Sequence, residues 1–262
     1  MAYTYISGAC GGIGKAFTES CAQKGYDLFL TGRSSARLTA LKNEITEKYG
    51  VNVVIFECDL TSESSRKKMF DYIAENNLLF DRIINVAGVD TQKPFVNYTQ
   101  DKLLFQIRVN VESTSSVTLA LLPFKAASLE IITVSSMSGV SPMPYFAVYS
   151  ATKAMLTNLF TSLHYELKKD GVKVTTVLPG GVPTRDDIIA DIKGQGIWGK
   201  LSSKPASFVA EKSLKAVKKN KIKYIPGFFN KFLNFMMKLM PKRIVLHYIA
   251  KRWKDNPGKD AF

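Results

Sequence analysis

Short runs of β-branched and apolar residues alternate with segments of helical patterning from one end of this chain almost to the other. That alternation narrows the fold more than anything else in the sequence. Strand-like runs lie near residues 3–7, 26–31, 51–57, 82–86, 129–135, 172–178 and 221–225, and helical patterns near 12–24, 35–48, 63–77, 100–122 and 148–169 separate the first six. The strands carry Val and Ile on both faces, as in Ile131-Ile132-Thr133-Val134. Strands of that kind, spaced by amphipathic helices, predict a parallel sheet covered on both sides. No repeat or low-complexity linker interrupts the pattern before about residue 226, so residues 1–226 read as one doubly wound α/β domain and 227–262 as an appended extension.

The extension differs in charge. Residues 1–211 hold 22 Lys and Arg against 20 Asp and Glu, whereas residues 212–254 hold 13 Lys and Arg and no acid. The excess of +14 is therefore a property of the C-terminal stretch, and the body is close to neutral. Cys10, Cys21 and Cys58 form no CxxC pair and, with only His164 and His247 beside them, no metal-binding pattern; no metal is expected. Met1 leads almost directly into the first strand-like run, and no apolar stretch is long enough to span a bilayer, so the expectation is a cytoplasmic protein.

Loops at the carboxyl ends of the strands carry the chemistry. Ser7-Gly8-Ala9-Cys10-Gly11-Gly12-Ile13-Gly14 joins the first strand to the first helix, where glycines permit a tight turn and a phosphate can approach free N–H groups at the helix start. The second strand ends in Gly32-Arg33-Ser34. A carboxylate there would hydrogen-bond an NAD ribose, whereas an arginine suits the 2′-phosphate of NADP(H). Asp59-Leu60 follows the third strand, and Asp59 is either an adenine ligand or a turn residue. Asn85-Val86-Ala87-Gly88 closes the fourth strand, and its small residues leave room for a cofactor. Asn110 falls within the 100–122 helical pattern, where asparagine is a poor helix former, so it serves a local backbone bond or holds a functional group such as a water. Pro179-Gly180-Gly181-Val182-Pro183-Thr184 follows the sixth strand, and residues 185–204 read as a partly helical, mobile segment that suits a substrate lid.

Ser136 ends the fifth strand, and Tyr149 and Lys153 lie four apart in the helical pattern that follows. That spacing stacks the two side chains on one helix face. An ammonium beside a phenol favours the phenolate and is expected to draw the Tyr149 pKa from about 10 toward neutrality, fitting it for proton transfer. Ordinary packing of Tyr149, with Lys153 solvated, is the alternative reading of the pair alone.

Taken together, these motifs resemble the short-chain dehydrogenase/reductase superfamily, in its single-domain branch, from Tyr3 to roughly Pro226. The family's TGxxxGxG stands as SGACGGIG, its NNAG as NVAG with Val86 as the departure, and its Asn-Ser-Tyr-Lys tetrad falls on Asn110, Ser136, Tyr149 and Lys153. The resemblance implies a Rossmann fold and an oxidoreductase that interconverts a ketone and a secondary alcohol with NADP(H). It implies that Tyr149 transfers the proton, Ser136 orients the carbonyl, Lys153 holds the nicotinamide ribose, and Asn110 positions a water. The cofactor would lie along Ser7, Gly8, Cys10, Gly12, Ile13, Gly14, Arg33, Ser34, Asp59, Leu60, Asn85, Ala87 and Gly88, with Pro179, Gly180, Val182 and Thr184 about the carboxamide. Relatives are often dimers or tetramers. A non-catalytic NADP(H)-binding sensor on the same fold is the alternative, although a sensor has no need of an intact tetrad.

In the extension, Phe228, Phe229, Phe232, Phe235, Met236 and Leu239 recur at helical spacing, with Lys231 and Lys238 expected on the other side, and Pro241 is expected to divide the stretch into two helices. Covering the cleft or an oligomer contact is the first expectation for it, and contact with a membrane surface through 228–254 the second. Docking of an acidic carrier or coenzyme A thioester is a third, and nucleic acid is not expected. Met143, Tyr145, Phe146, Trp198 and Phe208 about the site point to a lipophilic ketone or alcohol, such as a 3-oxoacyl thioester or a steroid.

Overall fold

The computed structural model describes residues 2–254 and 259–260. Its strands in chain order are β1 (Tyr3–Ile6), β2 (Asp27–Gly32), β3 (Val53–Glu57), β4 (Phe80–Asn85), β5 (Thr91–Gln92), β6 (Lys125–Val134), β7 (Val172–Val177), β8 (Lys223–Tyr224) and β9 (Lys259–Asp260). Seven of them form one sheet in the order β3-β2-β1-β4-β6-β7-β8, with every neighbouring pair parallel. The remaining two, β5 and β9, pair antiparallel with each other. All seven predicted strands are therefore present in one doubly wound sheet. The chain reverses its direction of winding between β1 and β4, and ligands sit at such a switch point, beyond the carboxyl ends of the strands.

Period-two alternation sorts the strand side chains into two cores. Ile6, Leu28, Leu30, Ile84 and Ile132 face one layer of helices. Tyr5, Phe29, Phe80, Ile83 and Ile131 face the other. On that second side the Phe80 ring meets Tyr5 and Phe29 edge-on at 6.3 and 5.8 Å. The first core is covered by α1 (Gly12–Ala22), α2 (Ser35–Tyr49) and the helix that carries Val209 and Leu214, the second by α3 (Glu63–Glu75) and the helices that carry Val117 and Phe160. Serine caps start two of these helices: Ser34 accepts from the Arg37 N–H, and Ser62 from that of Ser65.

Residues 100–122 are not the single α-helix expected. They form α4 (Gln100–Ile107) and α5 (Ser113–Leu121), joined by a π-turn at Arg108–Glu112. A π-turn widens the helix by one residue and is frequent at functional sites. Then come α6 (Ala147–Glu166), α7 (Asp186–Gly194), α8 (Gly196–Ser202) and α9 (Ala206–Lys218). The sequence reading assigns no helix to 206–218, yet its buried Val209, Ala210, Ser213, Leu214 and Val217 repeat on one face that packs against α1. Pro241 separates α10 (Phe228–Leu239) from α11 (Lys242–Lys254), as expected.

Candidate active site

One open cleft of about 1160 Å³ runs along the carboxyl ends of the strands, from Arg33 past the glycine turn to Tyr149 and Trp253. Where β1 enters α1, two glycines are required by contact. A Cβ at Gly14 would come within 2.1 Å of the Gly8 carbonyl oxygen, and one at Gly12 within 2.4 Å of the Thr184 Cβ. The turn is thereby pressed against the loop after β7, which makes one wall continuous with the next. No side chain caps α1 at Gly11, so its first N–H groups and the positive end of its dipole face the cleft. These features fit the diphosphate of a dinucleotide.

Arg33, Ser34, Asp59 and Leu60 line the end of the cleft beyond β2 and β3. Arg33 is exposed there. Asp59 commits one carboxylate oxygen to its own turn, accepting from the Thr61 N–H at 2.9 Å and hydroxyl at 2.8 Å. Arg37, which the sequence reading passes over, also lines this end and donates to the Cys10 carbonyl oxygen at 2.7 Å, tying α2 to the glycine turn. Its signal was available: it lies one helical turn after Arg33.

At the other end the Ser136, Tyr149 and Lys153 side chains come together. The Ser136 hydroxyl accepts from the Ser138 N–H at 3.0 Å and lies close enough to the Tyr149 hydroxyl to lower its pKa. Lys153 is buried, donates to the Val134 carbonyl oxygen at 3.0 Å, and holds its ammonium 5.8 Å from the centre of the Tyr149 ring. The expected effect on the tyrosine is reversed. Burial pushes the Tyr149 pKa well above its ordinary value, and the Asp90 carboxylate adds to this against the lowering by Ser136 and Arg185. The same burial draws Lys153 down to about 8, against the pull of Asp90 in the other direction. At both groups desolvation is the largest influence and outweighs the neighbours that oppose it. Tyr145, with φ of +65°, sets the turn that leads into α6.

Three predicted residues stand behind the cleft rather than in it. Ser7 accepts from the Val86 and Ala87 N–H groups at 2.9 and 3.1 Å, pinning β1 to the turn after β4. Asn85 donates to the Thr118 and Thr133 hydroxyls at 2.9 and 3.2 Å, and so braces β4 against α5 and β6. Asn110, in the π-turn, accepts from the Val89 N–H and donates to the Val89 carbonyl and the Thr152 hydroxyl. All three are buried and have protein partners, which is why they do not open onto the cleft. The other predicted residues, Gly8, Cys10, Gly12, Ile13, Gly14, Ala87, Gly88, Pro179, Gly180, Val182 and Thr184, all line it.

The substrate end departs from expectation in part. Met143 and Phe146 line the cleft, but Tyr145, Trp198 and Phe208 do not. Trp198 packs on Phe229, and Phe208 lies beneath the Lys212 ammonium on α9. Trp253 takes their place: its ring stacks on Phe146 at 5.7 Å, and Phe146 meets Tyr149 edge-on at 5.2 Å. Arg185 and Asp90, also unforeseen, form an ion pair at 3.0 Å that joins the loop after β7 to the loop after β4. Arg185 directly follows one recognised motif and Asp90 stands two residues after another, and that proximity was the signal.

Residues 3–188 match the family model for short chain dehydrogenase. The chain belongs to the short-chain dehydrogenase family. An uncharacterised oxidoreductase of Staphylococcus epidermidis is 34% identical over 181 residues, 68% of this chain and 77% of that protein. A very-long-chain 3-oxoacyl-CoA reductase of Bos taurus is 33% identical over 216 residues, 79% of this chain and 66% of that protein. Among solved structures, that of a 7β-hydroxysteroid dehydrogenase superposes with a TM-score of 0.84 at 22% identity, covering 95% of this chain and 96% of the other. A short-chain dehydrogenase from Sphingobium yanoikuyae in complex with NADPH does so at 0.74 and 23%, covering 92% and 97%. At such identities the structures establish the short-chain dehydrogenase fold alone.

Proposed function

We propose that this short-chain dehydrogenase is an NADPH-dependent reductase that interconverts a ketone and a secondary alcohol on a lipophilic substrate. The observation that carries the reading is the meeting of Ser136 and Tyr149 beside buried Lys153, in the cleft that begins at the glycine turn. Bound NADPH would supply the hydride. Tyr149, held above its ordinary pKa, is a phenol at neutral pH and so carries the proton that the developing alkoxide oxygen needs. Ser136 donates to the same oxygen and orients the carbonyl. The Lys153 charge steadies the phenolate left behind and holds the ribose hydroxyls. Asn110 acts from behind, by fixing the loop at Val89.

Gly8, Gly12, Ile13 and Gly14 would hold the diphosphate, Arg33 and Ser34 the 2′-phosphate, and Val182 and Thr184 the carboxamide. The arginine at the end of β2, where a carboxylate would favour NADH, supports NADPH. Met143, Phe146 and Trp253 support a lipophilic substrate, and the bovine relative suggests a 3-oxoacyl thioester as the class to try first. Half-exposed Met155 and exposed Leu119 and Tyr165, on the outer faces of α5 and α6, support a homodimer or tetramer. Unpaired Cys10, Cys21 and Cys58 support a reducing, cytoplasmic setting.

The test is a panel of 3-oxoacyl thioesters, oxosteroids and small polar ketones, followed by the loss of NADPH absorbance. The reading expects turnover that favours the lipophilic members. Failure to reduce any carbonyl under conditions where NADPH binds would refute it.

A further inference from the structure

Four large apolar side chains on α10 point into solvent along one line. Phe228 is 84% exposed, Phe232 49%, Phe235 58% and Leu239 64%, at spacings of four, three and four residues. The side chains expected to share their face do not. Phe229 and Met236 turn inward and are partly buried, while Lys231 and Lys238 lie exposed one turn-step to the side of the stripe rather than opposite it. The opposite face of α10 is fixed to the body by buried Asn230, which donates to the Ser202 and Pro226 carbonyls at 2.8 Å each. The helix is thus anchored with its aromatic stripe outward.

The stripe continues onto the lid. Trp198 on α8 packs against Phe229 at 5.5 Å, and Ile197, Trp198 and Leu201 are 69%, 50% and 44% exposed. On α11, exposed Ile244 and Tyr248 stand between Arg243 and Lys251. An apolar surface of this extent on three neighbouring elements calls for a partner. Charge selects which one. From residue 228 to 254 there are seven Lys and Arg and no Asp or Glu, so a second copy placed on this face would set cation against cation.

We propose that α8, α10 and α11 form a docking face for an anionic lipid bilayer. The aromatic and aliphatic side chains enter the acyl boundary, and the flanking lysines and arginines reach back to the headgroups. No described helix is long and apolar enough to cross a membrane, so the contact lies in the plane of the interface. The lid that bears part of this face also sends Ile188 and Ile192 from α7 into the cleft. The proposal rests on the surface and not on the reaction.

The test is flotation of the full chain with vesicles of phosphatidylcholine alone or with about one-third phosphatidylglycerol, in low and high salt. We expect at least tenfold tighter partition onto the anionic vesicles, since each interfacial cation contributes roughly fivefold. Salt should weaken binding without abolishing it. Phe232→Ser with Phe235→Ser should release the protein, and Lys231→Glu with Lys238→Glu should remove the preference for anionic lipid. Circular dichroism checks that both variants remain folded, as these side chains are exposed. Three results would overturn the proposal: no flotation with either lipid, flotation unchanged in both variants, or vesicle-free dimerisation or capture by a purified acyl carrier protein that the phenylalanine substitutions abolish. Flotation reads no turnover, so its failure leaves the reductase reading standing, and the reverse holds.

Discussion

Asn110 grips the backbone of Val89 from both sides, its Oδ1 accepting the N–H at 2.8 Å and its Nδ2 donating to the carbonyl oxygen at 2.9 Å. The next residue is Asp90, whose carboxylate pairs with Arg185. The π-turn is what brings the asparagine to this reach. Asn110→Leu would leave the part-buried Val89 N–H without this partner and its carbonyl oxygen with only the longer bond from Gln106 at 3.4 Å, at about 1–3 kcal/mol in all. The melting temperature should fall by roughly 3–10 °C in a chain of this size, as read by calorimetry. Turnover should fall with it, because the loop at Val89 lines the cleft.

Lys153 is held at a cost to stability. Its pKa of about 8 lies below the unfolded value of 10.5, so below pH 8 folding must bury a charge that water would solvate better. Lys153→Met should therefore lose activity yet gain stability, about 1–2 kcal/mol at pH 7 after allowing for the lost bond to Val134. Between pH 8 and 10.5 the unfolded wild type binds more protons than the folded, so its stability rises with pH and the advantage of the variant fades. Denaturant titrations at pH 7 and 10.5 measure both.

The two pKa shifts give the two reaction directions opposite pH profiles. Reduction needs the phenol of Tyr149 and the ammonium of Lys153, so its rate should decline with a midpoint near pH 8 as the ammonium is lost. Oxidation needs the phenolate, which burial disfavours, so its rate should still be rising at pH 9. Initial rates across pH 6–10 in both directions test this.

Arg33 and Arg37 should separate in cofactor choice. Arg33→Ala removes a partner proposed for the 2′-phosphate and should raise the NADPH KM about 10–100-fold while leaving NADH nearly unchanged. Arg37→Ala frees the glycine turn at Cys10 and should weaken both cofactors alike.

Trp253→Ala deletes a stacked ring at the substrate end. An aromatic contact of about 1 kcal/mol predicts a rise of roughly fivefold in KM for a bulky apolar ketone, with the NADPH KM unmoved.

Most of the fold and much of the cleft was legible in the sequence because their signals are local. Runs such as Ile131–Val134 show the strands, the spacing of Gly8, Gly12 and Gly14 shows the turn, and the four-residue step from Tyr149 to Lys153 shows the pair. What was not legible depends on distant partners. Asn110 acts on Val89 through a π-turn that no local pattern announces. The direction of the Tyr149 shift is decided by burial beneath other elements, not by its neighbour four residues on. Trp253 reaches Phe146 only because α11 folds back over the site. The side of α10 taken by Lys231 and Lys238 was readable from the 100° step per residue, and the simpler opposition of apolar and charged faces missed it.

The most direct measurement is single-turnover and steady-state reduction of a lipophilic ketone by Tyr149→Phe, with NADPH binding followed in parallel by fluorescence. The account predicts a kcat at least 10²–10⁴-fold lower, with NADPH affinity within about threefold of wild type. A variant that reduces the ketone within a few-fold of the wild-type rate would contradict it.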